Sequence, residues 1–123
     1  MDERPLVSVV DDDESVRESL PDLLTELDYA VQTFSSAKAF LASDYLVRTK
    51  CLLLDIAMPD MTGPELQREL MRRRHVIPII FITAQMDEDI RRRVIEQGAV
   101  ACLFKPFSDT DLLEALNAAL HTS

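Results

Sequence analysis

Short apolar runs alternate with amphipathic stretches along the chain, and this alternation predicts the fold. Five runs are typical of buried strands. They cover residues 6–10, 29–34, 50–54, 78–82 and 100–104. Between them, apolar residues recur at the spacing of a helix. Five strands that alternate with five helices over short connections predict an α/β fold, namely a doubly wound parallel sheet with helices on both faces.

Prolines and capping residues refine the predicted helices. Pro21 lies inside the first helix, where it removes a backbone hydrogen bond, and we expect it to kink that helix. Pro64 suits the first turn of the third helix, where its missing N–H would be unpaired in any case. Ser108 or Asp109 is expected to cap the last helix. That helix is predicted to bury four leucines: Leu112, Leu113, Leu116 and Leu120.

Length and composition indicate one globular domain of 123 residues, with 47% apolar and 28% charged residues. No apolar run approaches the roughly 20 residues of a membrane-spanning helix, and the acidic start of the chain does not resemble a secretory signal. Cys51 and Cys102 each lie in an apolar run, so we expect buried, reduced thiols in a cytoplasmic protein.

Charge is divided unevenly along the chain. The net charge is −9, and residues 1–65 carry 5 basic and 14 acidic residues, whereas residues 66–123 carry 8 of each. A domain this acidic repels a polyanion, so we expect no direct binding of nucleic acid. The surplus carboxylates of the first half need either solvent or a cation.

Reactive side chains follow four of the five predicted strands. Three aspartates (residues 11–13) follow the first strand, Asp55 the third, Thr83 the fourth and Lys105 the fifth. In a doubly wound sheet these positions meet at one edge. Clustered carboxylates favour a hard divalent cation such as Mg²⁺, while a hydroxyl and an ammonium can hold phosphoryl oxygens. The sequence therefore predicts Mg²⁺-dependent phosphoryl chemistry with Asp55 as the nucleophile.

Four blocks of sequence carry a resemblance to a known family. They are residues 9–13 (VVDDD), 54–63 (LDIAMPDMTG), 81–84 (FITA) and 104–107 (FKPF). In this order and spacing, across essentially the whole chain, they resemble the signature blocks of bacterial two-component response regulator receiver domains. The segment VVDDDESVR and the pairs Ser36-Ala37 and Phe40-Leu41 are most similar to FixJ-type regulators of the LuxR/NarL class.

The resemblance implies a strand order of 2-1-3-4-5 and a set of metal ligands. Asp12, Asp55 and the backbone carbonyl of Ala57 would bind Mg²⁺ (or Mn²⁺) directly, and Asp11 would hold a metal-bound water. Asp13 is read as a helix cap outside the site.

The resemblance also implies the phosphoryl chemistry. Asp55 would accept the phosphoryl group from a phosphohistidine of a cognate histidine kinase. Thr83 would hydrogen-bond that group and Lys105 would pair with it, with the peptide before Pro106 expected to be cis. The domain would then be a signalling module, not a turnover enzyme, although it would assist its own phosphorylation and dephosphorylation.

The sequence departs from the family at Cys102, and two further positions bear on the lifetime of the acyl phosphate. Cys102 stands where receivers usually carry a Phe or Tyr that reports the state of the site. We therefore expect the switch to act through backbone shifts around Thr83 to Gln85 and the fourth helix, or else the domain to be biased toward one state. Ala57 offers no side chain to orient water and Gln85 lies two residues after Thr83, so the lifetime of the acyl phosphate stays open.

Organisation and partners follow from the same resemblance. Residues 1–123 are expected to form a single receiver domain, either complete in itself or the N-terminal part of a regulator that controls transcription through a linked DNA-binding domain. A homodimer would use the fourth helix, fifth strand and fifth helix. Residues 91–93, three arginines, are read as solvated helix surface, with ion pairs to acidic residues of a neighbouring subunit as the alternative. Those residues would be Asp109, Asp111 or Glu114.

Two rival functions remain at this point. A phosphohydrolase of the haloacid dehalogenase type would use Asp11 as nucleophile and Asp13 as acid. A receiver-like module could instead bind its partner without phosphorylation, which the cysteine at position 102 leaves open.

Overall fold

A computed structural model of the chain describes residues 3–85 and 87–120. Within these residues, five strands alternate with five α-helices. The strands are β1 (Leu6–Val10), β2 (Ala30–Phe34), β3 (Thr49–Asp55), β4 (Ile79–Thr83) and β5 (Ala101–Phe104). The helices are α1 (Glu14–Glu26), α2 (Ala37–Leu41), α3 (Gly63–Arg72), α4 (Glu88–Glu96) and α5 (Asp109–Leu120), with a 3-10 turn at Leu46–Arg48 before β3.

The strands form one parallel sheet in the order β2-β1-β3-β4-β5. The predicted doubly wound fold and the strand order 2-1-3-4-5 are thereby confirmed. Successive residues of β3 point to opposite faces, as a strand requires. Leu53 packs with α1 and α5 on one face, while Leu52 and Leu54 pack with α2, α3 and α4 on the other. Both faces are buried, which explains the continuous apolar sequence of the central strands.

Local capping chemistry fixes where the helices begin. Asp13 caps α1 by accepting a hydrogen bond from the N–H of Ser15, and Ser36 caps α2 in the same manner. Thr62 and Glu65 form a reciprocal capping box at the start of α3. The loops after β1 and β2 are therefore short, whereas a longer loop, residues 56–62, joins β3 to α3.

One prediction about the core is wrong. Leu113 of α5 is 39% exposed, whereas Leu112 and Leu116 are fully buried. Positions 112 and 116 lie on one side of the helix, and Ala115 completes the buried stripe. Leu113 is turned about 100° from Leu112 and therefore leaves the stripe. Pro21 lies inside α1, which is continuous from Glu14 to Glu26, and a kink there stays a prediction.

The remaining expectations about the chain concern cysteines and membranes. Cys51 and Cys102 are both free and buried, as predicted. In the part of the chain that the structure describes, no helix combines the length and apolar character needed to cross a bilayer.

Candidate functional site

Three carboxylates converge at the carboxyl edge of the sheet. Asp11 and Asp12 follow β1, Asp55 ends β3, and one oxygen from each lies within 4.8 Å of the others. Asp11 and Asp55 are buried while Asp12 is exposed, so the cluster opens to solvent on one side. Two oxygens on the same Mg²⁺ lie at most about 4.2 Å apart, given bonds of about 2.1 Å. The oxygen-only donor set and its spacing therefore fit Mg²⁺ after small side-chain movements.

Besides the hydrogen bond from its N–H to the carbonyl of Phe34, three contacts hold Asp11. Its Oδ1 accepts a hydrogen bond from the N–H of Asp13 at 2.9 Å, and its Oδ2 lies 2.8 Å from Nζ of Lys105. Its backbone carbonyl accepts a hydrogen bond from Nη1 of Arg17, also at 2.9 Å. Asp11 itself is 0% exposed. The contact from Arg17 was not predicted from the sequence, because a single arginine in a predicted helix gives no sign of which carbonyl it reaches.

Lys105 directly follows β5 and reaches the same cluster. Its Nζ lies 3.8 Å from Oδ1 of Asp55 in addition to its close ion pair with Asp11. The Lys105–Pro106 peptide bond is cis, and the N–H of Lys105 donates to the carbonyl of Thr83 at 2.8 Å. The lysine side chain is 17% exposed, so its charge acts in a partly desolvated cleft.

The pKa of Asp55 is raised to about 7, first by burial and next by the neighbouring charge of Asp11, while Lys105 opposes the shift. Hydrogen bonds with Asp11 and Asp12 act in the same direction as burial. Without a cation, the Asp55 carboxyl is therefore only partly ionised near neutral pH. A divalent ion in the cleft would favour the carboxylate, which is the nucleophilic form.

Thr83 ends β4 beside Asp55, since the preceding residue Ile82 is the register partner of Asp55. Its hydroxyl is buried and is hydrogen-bonded within its own loop, where it donates to the carbonyl of Gln85 at 3.0 Å and accepts the N–H of Gln85 at 3.2 Å. Gln85 is exposed. The structure thus brings Thr83 to the edge of the cluster and leaves Gln85 at the solvent side of the β4–α4 loop.

Gly63, the first residue of α3, closes the β3–α3 loop and is another residue that sequence reasoning missed. Its N–H donates to the carbonyl of Ile56 at 2.9 Å, and a Cβ at this position would lie 2.3 Å from the carbonyl oxygen of Asp55. Only glycine permits so close an approach of the two backbones. Ala57, whose carbonyl is a predicted ligand, is exposed in this loop. Gly63 stood in the quoted sequence block, but nothing in a single sequence shows a close approach.

Cys102 occupies β5 opposite Phe81 of β4 and is 9% exposed. Burial raises the pKa of its thiol, and the nearby Arg91 opposes that shift. The side chain packs in the core layer shared with α3 and α4, so it lies on the α4 side of the sheet.

Two of the three arginines of α4 make ion pairs within their own helix. Arg91 lies 3.7 Å from Glu88, and Arg92 lies 2.9 Å from Asp89, all with exposed side chains. Such exposed pairs contribute little stability. They agree with the reading of residues 91–93 as helix surface, and the alternative pairing with a neighbouring subunit stays a prediction.

Comparisons with known proteins agree with the geometry. Residues 7–117 match the family described as "Response regulator receiver domain". The chain is 43% identical over 114 residues to the transcriptional regulatory protein TdiR of Thauera aromatica, an alignment that covers 93% of this chain and 50% of TdiR. It is 43% identical over 113 residues to the transcriptional regulatory protein FixJ of Rhizobium meliloti (strain 1021), covering 92% of this chain and 55% of FixJ. The chain spans about half the length of the curated relatives it matches.

Solved structures give the same result. A crystal structure named FixJ-N superposes with a TM-score of 0.87 at 40% identity, covering 98% of this chain and 97% of that one. A structure of the response regulator StyR superposes with a TM-score of 0.88 at 43% identity, covering 96% of this chain and 60% of that one.

Proposed function

Because the chain belongs to the response regulator receiver domain family, we propose that Asp55 is the residue that accepts the phosphoryl group of a two-component signalling pathway. The observation that carries this proposal is the convergence of Asp11, Asp12, Asp55 and Lys105 in one cleft. Within that cleft Asp55 combines burial at the end of β3 with an open side toward Asp12. Its Oδ1 lies 3.8 Å from Nζ of Lys105, whereas Oδ2 of Asp11 lies 2.8 Å from it, so Asp55 is the less tightly paired of these two buried carboxylates.

The proposed reaction is a phosphoryl transfer from a phosphohistidine of the cognate kinase. An oxygen of the Asp55 carboxylate attacks the phosphorus, the phosphorus–oxygen bond forms and the phosphorus–nitrogen bond breaks. The electron pair of the broken bond stays on the histidine nitrogen, which takes up a proton. Lys105 neutralises charge on the phosphoryl oxygens, and the Thr83 hydroxyl donates a hydrogen bond to one of them after leaving the carbonyl of Gln85. By these contacts the domain assists its own phosphorylation and dephosphorylation.

The proposed cation is Mg²⁺ or Mn²⁺, which hold oxygen ligands of this kind. Asp12, Asp55 and the carbonyl of Ala57 would bind it, and Asp11 would reach it through water. The ion supplies positive charge that offsets the mutual repulsion of the carboxylates and of the phosphoryl oxygens. Contacts with Asp13 and Lys105 keep Asp11 in one orientation, so Asp11 would hold the metal-bound water in place.

The conformational switch is proposed to run through the β4–α4 loop. Movement of the Thr83 hydroxyl toward a phosphoryl group would break both of its hydrogen bonds to Gln85 and so release the loop before α4. Cys102 is too small to replace the ring that the family usually carries there. Amide spectra of the free and the beryllofluoride-bound protein would test this. Shifts along α4 support the switch, and an unchanged α4 would favour a module that acts without phosphorylation.

The output and the partners of the full-length protein are proposals as well. The named relatives are transcriptional regulators about twice as long as this chain, so we propose a cytoplasmic regulator whose receiver controls transcription through a linked DNA-binding domain. The free cysteines fit a reducing compartment. Homodimerisation through α4, β5 and α5 is proposed for the active form, with the exposed Leu113 and Ile95 as apolar candidates on that face.

A haloacid dehalogenase-type phosphohydrolase is disfavoured by the environment of its required nucleophile. Both carboxylate oxygens of Asp11 are engaged, and Asp13, the required acid, accepts the Ser15 N–H as a helix cap. Multiple turnover of a generic phosphatase substrate that survives Asp55→Ala but not Asp11→Ala would reverse this preference.

The direct test of the proposed function is incubation with acetyl phosphate and Mg²⁺, followed by intact mass analysis. The wild type should gain the mass of one phosphoryl group, and neither Asp55→Asn nor wild type with a chelator should gain it. An Asp13→Asn variant, which keeps a capping side chain outside the cluster, is the matched control and should still be phosphorylated. A wild type that gains no mass, or an Asp55→Asn variant that does, would contradict the proposal.

A further inference from the structure

The backbone carbonyl of Asp11 has an unusual partner. At the end of β1 the N–H of Asp11 still pairs with the carbonyl of Phe34 in β2, at 3.1 Å. On the carbonyl side, the guanidinium of Arg17, one helical turn along α1, donates to it at 2.9 Å. A carbonyl of a fully buried residue needs a donor, and here a side chain provides one.

The position of Arg17 in α1 is unfavourable for a cation. Arg17 is the fourth residue of a helix that begins at Glu14, close to the positive end of the helix dipole. Its side chain is also half-buried, so it loses hydration and conformational freedom. A contact that is gained at these costs indicates that the guanidinium has a specific structural task at Asp11.

We propose that Arg17 is a positioning residue for the cation site, an inference that rests on the proposed function. By fixing the carbonyl of Asp11, Arg17 fixes the peptide plane between Asp11 and Asp12. The peptide joins the Cα atoms of Asp11 and Asp12, so its orientation sets the direction in which both carboxylates point. Asp11 is then fixed by Arg17 at its carbonyl, by Asp13 at Oδ1 and by Lys105 at Oδ2.

The sign of the effect separates positioning from simple electrostatics. If Arg17 acted only as a nearby positive charge, its removal would reduce repulsion and tighten the binding of a divalent cation. If Arg17 holds the ligands in place, its removal weakens binding. Mutation of groups that orient metal ligands typically lowers metal affinity roughly 10- to 100-fold. The two explanations therefore predict opposite changes.

The experiment is a Mg²⁺ titration followed by backbone amide chemical shifts, with no phosphoryl donor present. We expect Arg17→Met to weaken Mg²⁺ binding by roughly tenfold and Arg17→Lys, which keeps a cationic N–H donor, to restore most of the affinity. Arg48→Met is the matched control. It removes an exposed cation of the same acidic half, stacked 5.5 Å over the ring of Tyr45, and should leave Mg²⁺ binding unchanged.

Phosphorylation by acetyl phosphate gives a second readout. For Arg17→Met, the Mg²⁺ concentration that gives half the maximal rate should rise by the same factor, while the rate at saturating Mg²⁺ stays close to that of the wild type. Urea unfolding without Mg²⁺ checks that the variant is folded. If it is not, Arg17→Gln, which keeps an amide donor without the charge, provides the same comparison, with a smaller weakening expected.

Three results would overturn the inference while leaving the proposed function intact. They are tighter or unchanged Mg²⁺ binding by a folded Arg17→Met or Arg17→Gln variant, an Arg48→Met variant that weakens binding equally, and an Arg17→Lys variant no better than Arg17→Met. A wild type that neither binds Mg²⁺ nor becomes phosphorylated would instead overturn the proposed function, so the two failures are distinguishable.

Discussion

Without a bound cation, the ionised Asp55 side chain is expected to destabilise the folded domain. Asp55→Asn should therefore raise the free energy of unfolding. Burial and the neighbouring Asp11 raise the pKa of Asp55 to about 7 in the folded protein, whereas an unfolded chain has the ordinary value of 3.8. The folded protein consequently binds this proton more tightly than the unfolded chain does. Between about pH 4 and pH 7, the free energy of unfolding therefore falls as the pH rises, because the unfolded chain releases this proton before the folded protein does.

The size of the penalty follows from the two pKa values. A rise from 3.8 to about 7 corresponds to a ceiling of about 4 kcal/mol, since each tenfold change in proton affinity is worth about 1.4 kcal/mol. Water at the open side of the cleft and small relaxations screen part of this interaction, so we expect about 2 kcal/mol. Asparagine keeps the shape of the side chain without the charge.

The assay is urea unfolding of both proteins without divalent ions, at about pH 4.5 and at about pH 8. The variant should exceed the wild type by about 2 kcal/mol at the higher pH and by much less at the lower pH, because only the wild type titrates there. Saturating Mg²⁺ at the higher pH should reduce this difference in the free energy of unfolding, because Mg²⁺ binds the wild-type cluster more tightly than that of the variant. If the wild type were as stable as Asp55→Asn, or more stable, at about pH 8 without Mg²⁺, Asp55 would not destabilise the fold.

Three further predictions concern other parts of the chain. Gly63→Ala should lower the free energy of unfolding by about 1–3 kcal/mol and slow phosphorylation, because its Cβ would overlap a backbone carbonyl. Gly98→Ala, at φ +106° with open space around it, should cost about 1–2 kcal/mol and leave phosphorylation unchanged, and equal phosphorylation by both variants would count against the Gly63 argument. A thiol reagent at about pH 8 should label Cys102 slowly and Cys51, whose pKa burial raises to about 12, only on unfolding. Rapid labelling of native Cys51 would contradict its burial. Gln67→Met removes the buried hydrogen bond from Nε2 to the carbonyl of Val94 in α4, and urea unfolding should show a loss under about 1.5 kcal/mol because Oε1 is already unpartnered. A loss well above that value would mean that this link matters more than one hydrogen bond.

The parts of the fold that follow from periodic patterns were predictable. β1, for example, has the predicted bounds, because an apolar run that ends at three aspartates leaves no ambiguity. The other strands differ by a residue at one or both ends, since a strand ends where pairing ends and not where apolar character ends. Leu113 was assigned to the core because leucine is apolar, but its angular position on α5 decides its exposure.

The candidate site was predictable at the level of which residues meet, and not at the level of what holds them. Strand ends of a doubly wound sheet lie at one edge, so Asp11, Asp55 and Lys105 could be brought together from the sequence. Gly63 approaches the carbonyl of Asp55, and the Arg17 side chain donates to the carbonyl of Asp11. Both contacts end on a backbone carbonyl on the far side of a loop. No periodicity or motif encodes such distances, so only coordinates reveal them.

Mapping the phosphorylated residue shows whether Asp55 is the aspartate that accepts the phosphoryl group. The protein would be phosphorylated with acetyl phosphate and Mg²⁺, its acyl phosphate reduced with borohydride, and the peptides sequenced by mass spectrometry. Reduction should convert residue 55 from aspartate to homoserine, and this product should be absent when Mg²⁺ is chelated. Homoserine at position 11, 12 or 13 instead of 55, or at no aspartate under conditions where Mg²⁺ binding is established, would contradict phosphorylation of Asp55.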